Sequence, residues 1–228
     1  MGNVAKYLIH RPGTVIAAAD AVRGGAVPGV VPSGATYAVI GHSLGALTSL
    51  ALGGGVISPE NYNAECAKPN PDAGCGIIGP LTELTPSELA QRAPTDKRIE
   101  TLIVQNPAGT YAFAAGTLQN LPPTLIMGGD KDGFHQSGAV AAFAAAGSAT
   151  AFVTYLKGGH NGPTDICNIA VAKTFSPDCK VENGFADPSL VREASIAHVI
   201  AWLGLQLGKQ TKYQAHLVSV QGFDWKSK

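Results

Sequence analysis

The sequence carries little charge: 14% of its 228 residues are Asp, Glu, Lys or Arg, against about a quarter in an ordinary soluble domain. Its 16 acidic and 16 basic side chains cancel, and neither sign forms a long run. A phosphate backbone is recognised through a basic stripe, so the composition argues against nucleic acid as a partner. Long apolar runs are missing too. The quietest stretch, residues 139–151, is alanine-rich, broken by Gly147, and too short to span a bilayer. The first ten residues lack the sustained apolar segment of a secretory signal. What the chain does have is glycine and proline, 28 and 15 residues, in a 45% hydrophobic composition. Together with the length, this indicates one turn-rich globular domain with a sizeable core.

The four cysteines fall into two local pairs, Cys66/Cys75 and Cys167/Cys179, each within a loop rich in Pro, Asn and Asp. Pairing inside each loop is the simplest of three connectivities. Free thiols are the alternative, and the spacing lacks the short two-residue interval of a zinc knuckle. Disulfides point to a secreted or periplasmic protein, at odds with the missing signal.

Along the chain, residues 14–23 read as a short helix stopped by Gly24-Gly25. Residues 36–40 are a compact β-branched run that predicts a buried parallel strand. The Gly41-His42-Ser43-Leu44-Gly45 turn follows, then a helix at 46–52. Residues 61–85 form a polar, Pro-rich excursion, and 86–92 one or two helical turns. Further strands are expected at 99–105, 123–127 and 151–155, with a helix at 137–146. The longest helix, 190–207, opens on Asp187-Pro188. Residues 209–228 read as a polar C-terminal tail, with an alternation at 215–220 that suggests a strand. Strands alternating with helices predict a doubly wound, mostly parallel α/β sheet of about four core strands.

A serine hydroxyl needs a base to take its proton and a third group to orient that base. Ser43 lies between an apolar strand and a helix, where a G-x-S-x-G turn acts as a nucleophile elbow. The flanking positions must be small, and Gly41 and Gly45 meet that demand. The N–H of Leu44 would be one oxyanion donor. The acid and then the histidine are expected downstream, after later strands. Asp130 and Asp132 follow the 123–127 strand, and His160 stands in a glycine loop after the 151–155 strand. The aspartates also suit an Asx-turn, while a calcium loop lacks its third oxygen ligand and distal Glu. Of the other histidines, His10 precedes the elbow, His198 lies on a helix face and His216 in the tail. His42 is expected to pack behind the elbow, and His135, beside the acid loop, to line a pocket.

These residues resemble the predicted dienelactone-hydrolase-like and platelet-activating-factor acetylhydrolase-like branch of the α/β-hydrolases, which is related to bacterial cutinase-type polyester hydrolases. The resemblance runs over about residues 7–207. It rests on His10-Arg11-Pro12, Val39-Ile-Gly-His-Ser-Leu-Gly45, Asp96-Lys-Arg-Ile99, Asn106-Pro107, Pro123-Thr-Leu-Ile126, Gly159-His160 and Cys167. It implies Ser43 as nucleophile, His160 as base and Asp132, rather than Asp130, as acid. The implied reaction is hydrolysis of a small-molecule or polymeric ester, with no metal or organic cofactor. Dienelactone hydrolases proper use cysteine where Ser43 stands, which argues against a dienelactone substrate.

One departure bears on activity. The four strands and first helix that precede the elbow strand in the family have no counterpart before residue 36. Residues 1–208 are therefore expected to form a partial, N-terminally truncated α/β-hydrolase domain, the C-terminal part of a longer secreted hydrolase. The elbow strand would then be a sheet edge, open to self-association. The second oxyanion donor would be missing, at a cost of roughly 10²–10³ in rate. The competing reading is a catalytically silent fragment or binding module.

Overall fold

The computed structural model describes residues 4–30, 34–78 and 95–228. Four strands, β1 (Tyr37–His42), β2 (Ile99–Gln105), β3 (Thr124–Gly129) and β4 (Thr150–Tyr155), run parallel. A fifth, β5 (Phe223–Ser227), runs antiparallel to β4, and the order across the sheet is the order along the chain. The four parallel strands lie where the apolar runs place them. All six residues of β3 are buried, as a parallel strand covered on both faces requires.

The period of two divides these strands between two cores. Leu102, Val104, Ile126 and Phe152 face one side, packed with Leu47 and Leu50 of α2 (Leu44–Leu52) and with Leu8 and Ile9 of α1 (Val4–Arg23). Ile103, Leu125, Met127, Val153 and Tyr155 face the other, against Val191, Ala201 and Trp202 of the long C-terminal helix (Pro188–Gln206). That helix starts as its sequence predicts: the Asp187 carboxylate accepts the Ser189 N–H, and Pro188 fills a first-turn position where no intrahelical donor is needed. Its Trp202 Nε1–H donates to Thr101 Oγ1 at 2.7 Å and so registers the helix on β2.

Three elements differ from expectation. α1 begins ten residues earlier than predicted and runs through Pro12. Proline removes one main-chain bond there, but buried Leu8 and Ile9 hold the preceding turns on the core. The strand expected at 215–220 does not form: a 3-10 helix, Thr211–His216, takes its first two residues, and Val220 makes one isolated bridge with Phe223. Gly222, at φ 83°, reverses the chain after it so that 223–227 pairs with β4. Residues 209–228, read as a tail, thus supply a strand whose Phe223 and Trp225 pack in the second core. The helix expected at 137–146 starts two residues earlier, as a π-helical segment, His135–Val140, that runs on into α5 (Ala141–Ala145). The helix expected at 86–92 lies outside the described residues.

Two disulfides, Cys66–Cys75 and Cys167–Cys179, staple the irregular segments. The first joins α3 (Pro59–Cys66) to α4 (Ala73–Ile78); the second closes the loop that carries α6 (Ala170–Phe175), leaving the long C-terminal helix as α7. Such bridges are compatible with an extracellular or periplasmic protein. Among the described residues, no helix is long and apolar enough to cross a membrane.

Among the described strands, β1 is one edge of the sheet. The N–H groups of Tyr37 and Ser43 donate to Arg98 and Gln105 on the β2 side, so the backbone groups of Ala38, Ile40 and His42 point the other way. No described strand meets them there. Ile40 is 50% exposed, whereas its β2 partner Ile103 is fully buried. A groove of about 520 Å³ runs along this edge, lined by Val15, Ala18 and Val22 of α1 and by Tyr37 and Ile40.

Candidate active site

The site is assembled at the C-terminal ends of β1, β3 and β4. After β1 the chain turns sharply into α2, and Ser43 takes φ 57° and ψ −120°, a strained region for a non-glycine residue. Gly41 makes the turn sterically feasible. A Cβ there would lie 2.1 Å from the Gly45 carbonyl oxygen and 2.4 Å from Ser49 Oγ. Gly45 is different, because a Cβ on it meets nothing within 4 Å. The steric demand expected at both flanking positions therefore falls on Gly41 alone.

Ser43 Oγ is 2.9 Å from His160 Nε2, and His160 Nδ1 is 2.8 Å from Asp132 Oδ2. A carboxylate accepts, so Nδ1 carries the proton and Nε2 presents its lone pair to the Ser43 hydroxyl. The Asp132 side chain is 1% exposed and that of His160 24%. The other Asp132 oxygen accepts the Phe134 N–H at 3.0 Å, which fixes the carboxylate plane. Phe134 also packs edge-on against the His160 ring, with centroids 5.2 Å apart. Asp130, the alternative acid, is exposed; its backbone N–H bonds Tyr155 O.

His42 lies beside this chain, its ring centroid 4.8 Å from that of His160. Its Nε2–H donates to the His160 carbonyl at 2.7 Å, and burial pushes its pKa below the ordinary histidine value. It touches the histidine loop instead of packing behind the elbow. His135 stacks on Phe152 with centroids 6.1 Å apart, its buried Nδ1 has no hydrogen-bond partner, and burial lowers its pKa as well. His198 is buried and bonded to the Ala194 carbonyl.

The acid and histidine loops touch through glycines. A Cβ on Gly129 would fall 2.3 Å from the Gly158 oxygen, and one on Gly159 would fall 2.2 Å from Asp178 Cβ. Two polar residues in this region carry no signal in the turn motif. Asn106, one residue past β2, bridges Gly129 N–H and the carbonyls of Gly159 and His160. Asp178, beside the Cys167–Cys179 bridge, accepts the Asn161 N–H at 2.6 Å. The Asn106-Pro107 pair after a strand, and an aspartate adjoining a cysteine, were the available cues.

The N–H groups of Leu44 and Gly45 lie in the first turn of α2, where a helix offers no intrahelical acceptor and its dipole favours negative charge. Among the described residues, no group of three or more His, Cys, Asp or Glu is arranged to hold a metal ion. Comparison with models of known protein families and with curated proteins finds no match for the chain.

Proposed function

We propose that this chain is a serine hydrolase of the α/β-hydrolase type that cleaves carboxylic esters through Ser43. The observation that carries the reading is the continuous hydrogen-bonded chain Ser43–His160–Asp132, mounted on a strained turn at a helix N-terminus. The order serine, aspartate, histidine along the chain, each after a parallel strand, supports the fold type. So does the second aspartate, not the first, reaching the histidine.

The geometry performs acyl transfer to water as follows. Ser43 Oγ bonds the ester carbonyl carbon while its proton passes to His160 Nε2. The carbonyl oxygen becomes an oxyanion facing the Leu44 N–H at the positive end of α2. The C–O bond to the alcohol breaks and His160 returns the proton to the departing oxygen. Water, deprotonated by the same nitrogen, then bonds the acyl carbon; the acyl–Oγ bond breaks, the acid leaves, and Nε2 returns the proton to Ser43 Oγ. Asp132 stays ionised throughout, holding Nδ1–H and stabilising the imidazolium. Small-molecule and polymeric esters both fit this chemistry, and the two disulfides support a secreted or periplasmic setting.

A second reading, a catalytically silent module, is favoured by the open β1 edge. With α2 as the described source of oxyanion donors, one missing donor would lower the rate by roughly 10²–10³. Hydrolysis of p-nitrophenyl acetate separates the two. Turnover abolished by Ser43→Ala, reduced by about 10⁴ in Asp132→Asn and retained in Asp130→Asn supports the hydrolase. Fluorophosphonate labelling of Ser43 without turnover supports the silent module. Turnover unchanged in Ser43→Ala would refute the hydrolase outright.

A further inference from the structure

We infer that Asn106 is a positioning residue for His160: its carboxamide fixes where the histidine loop sits relative to the strand that leads to Asp132. The inference rests on the hydrolase reading for its effect on turnover, but not for its effect on the imidazole.

Asn106 is 1% exposed and follows β2, its own N–H held by the Met127 carbonyl at 2.8 Å. Its Oδ1 accepts the Gly129 N–H at 2.9 Å, at the end of the strand before the acid loop. Its Nδ2 donates to the His160 carbonyl at 2.7 Å and to the Gly159 carbonyl at 3.2 Å. The partners are one donor and two acceptors, so only this orientation of the amide satisfies all three. Both amide hydrogens are used, and each goes to the main chain of the loop that carries the base.

The remaining contacts of that loop make the clamp complete. The His160 carbonyl also receives His42 Nε2–H, so donors from the ends of β1 and β2 converge on one oxygen. Asp178 accepts the next N–H, that of Asn161. The backbone on either side of the His160 Cα is therefore held by side chains, and Asn106 alone among them also holds the acid strand. The backbone points the same way. Asn106 sits at φ 43° and is followed by Pro107. Asparagine tolerates that region better than most residues, but glycine adopts it more freely still. A turn selected only for conformation would be served by glycine; an asparagine there has a use for its amide.

The variants are Asn106→Gly, which keeps the left-handed turn and removes the clamp, and Asn106→Asp, which keeps the acceptor for Gly129 but faces two carbonyls with an oxygen. Two readouts are taken on each folded variant and on the wild type. The first is the tautomer of His160 from 15N shifts of histidine-labelled protein, which needs no turnover. The second is kcat and KM for a short p-nitrophenyl ester, with Ser43→Ala as control. In the wild type His160 carries its proton on Nδ1; in both variants the resonance is expected to move toward a mixture of tautomers. kcat is expected to fall by roughly 10- to 100-fold, since displacements near 1 Å at a base cost that much, with KM within about threefold. An unchanged His160 tautomer in the variants overturns the proposal, whatever happens to turnover. So would failure of both variants to fold, because Asn106 would then serve the fold as a whole. If the wild type shows no Ser43-dependent turnover, the hydrolase reading falls and the tautomer alone decides the role of Asn106.

Discussion

Replacing Gly41 and Gly45 one at a time with alanine tests the elbow geometry, because the two glycines look equivalent in sequence and are not equivalent in space. A methyl on Gly41 would sit 2.1 Å from the Gly45 oxygen and 2.4 Å from the Gly45 carbonyl carbon. Relief requires β1 and the first turn of α2 to part by more than about 1 Å to reach ordinary contact distance. Overpacking against movable side chains costs about 1–3 kcal/mol. Here the obstacle is backbone, and its oxygen already accepts the Ser49 hydroxyl at 3.0 Å, so we expect about 3 kcal/mol or more. A methyl on Gly45 meets open space at ordinary helical dihedrals and removes unfolded-state freedom, a gain of about 0.5–1 kcal/mol. The two variants should thus differ by about 4 kcal/mol and in sign, a large part of the 5–15 kcal/mol of a typical domain. Urea unfolding followed by fluorescence of Trp202 and Trp225 reads both midpoints, and ester hydrolysis should fall with Gly41→Ala as Ser43 is displaced. Equal stability of Gly41→Ala and wild type, or destabilisation by Gly45→Ala of more than about 1 kcal/mol, would refute the steric account.

Removing the Cys167–Cys179 bridge by a double serine substitution opens a loop of 12 residues' separation and should lower stability by about 3 kcal/mol; because Asp178 adjoins it, activity should fall further than for the Cys66–Cys75 pair, measured below each variant's unfolding temperature. His42 is held neutral by burial, its folded pKa below the unfolded one, so its contribution to stability is present above about pH 6.5 and is lost as pH falls through the folded value. Unfolding midpoints between pH 7 and 5 should therefore decline in the wild type and less steeply in His42→Gln, which keeps a donor for His160, the residual slope belonging in part to His135; parallel slopes would contradict this. The backbone of Ala38, Ile40 and His42, which meets no described strand, predicts concentration-dependent self-association by sedimentation velocity, suppressed in Ile40→Lys, and a monomer at every concentration would argue against it.

β2, β3 and β4 were legible because both of their faces are buried: an unbroken run such as Thr124-Leu-Ile-Met127 has few other uses; β1 was legible from its β-branched run before the Gly41 turn. β5 was not, since its only periodic signal is the pair Phe223 and Trp225, and its pairing depends on a turn at Gly222. The first ten residues of α1 were not read as helix, and there the burial of Leu8 and Ile9 outweighs the one bond missing at Pro12. Within the site, Ser43 announces itself through its turn. The choice of Asp132 over Asp130 came from resemblance; in the structure Asp132 is buried and bonded to His160 and to the Phe134 N–H, whereas Asp130 is exposed. Asn106 offered only the Asn106-Pro107 pair after a strand, which says nothing of its partners. Its partners lie 23, 53 and 54 residues away, and a buried amide answering three distant backbone groups leaves no local pattern.

The two halves of the site are held by different parts of the molecule, and this decides how each responds to change. His160 and Asp132 hang from β3 and β4, in the interior of the sheet, and are tied together through Asn106 at the end of β2. Ser43 and the α2 donors hang from β1, whose far side meets no described strand. A strand added to that edge would stiffen the elbow and, for the proposed reaction, bring a further N–H toward the oxyanion. It would leave the buried acid and the clamped histidine loop where they are. In the proposed hydrolase, events at the edge should therefore alter the rate at which Ser43 is acylated while the His160 tautomer stays fixed. Changes at Asn106 should do the reverse, disturbing the imidazole first and the nucleophile only through it.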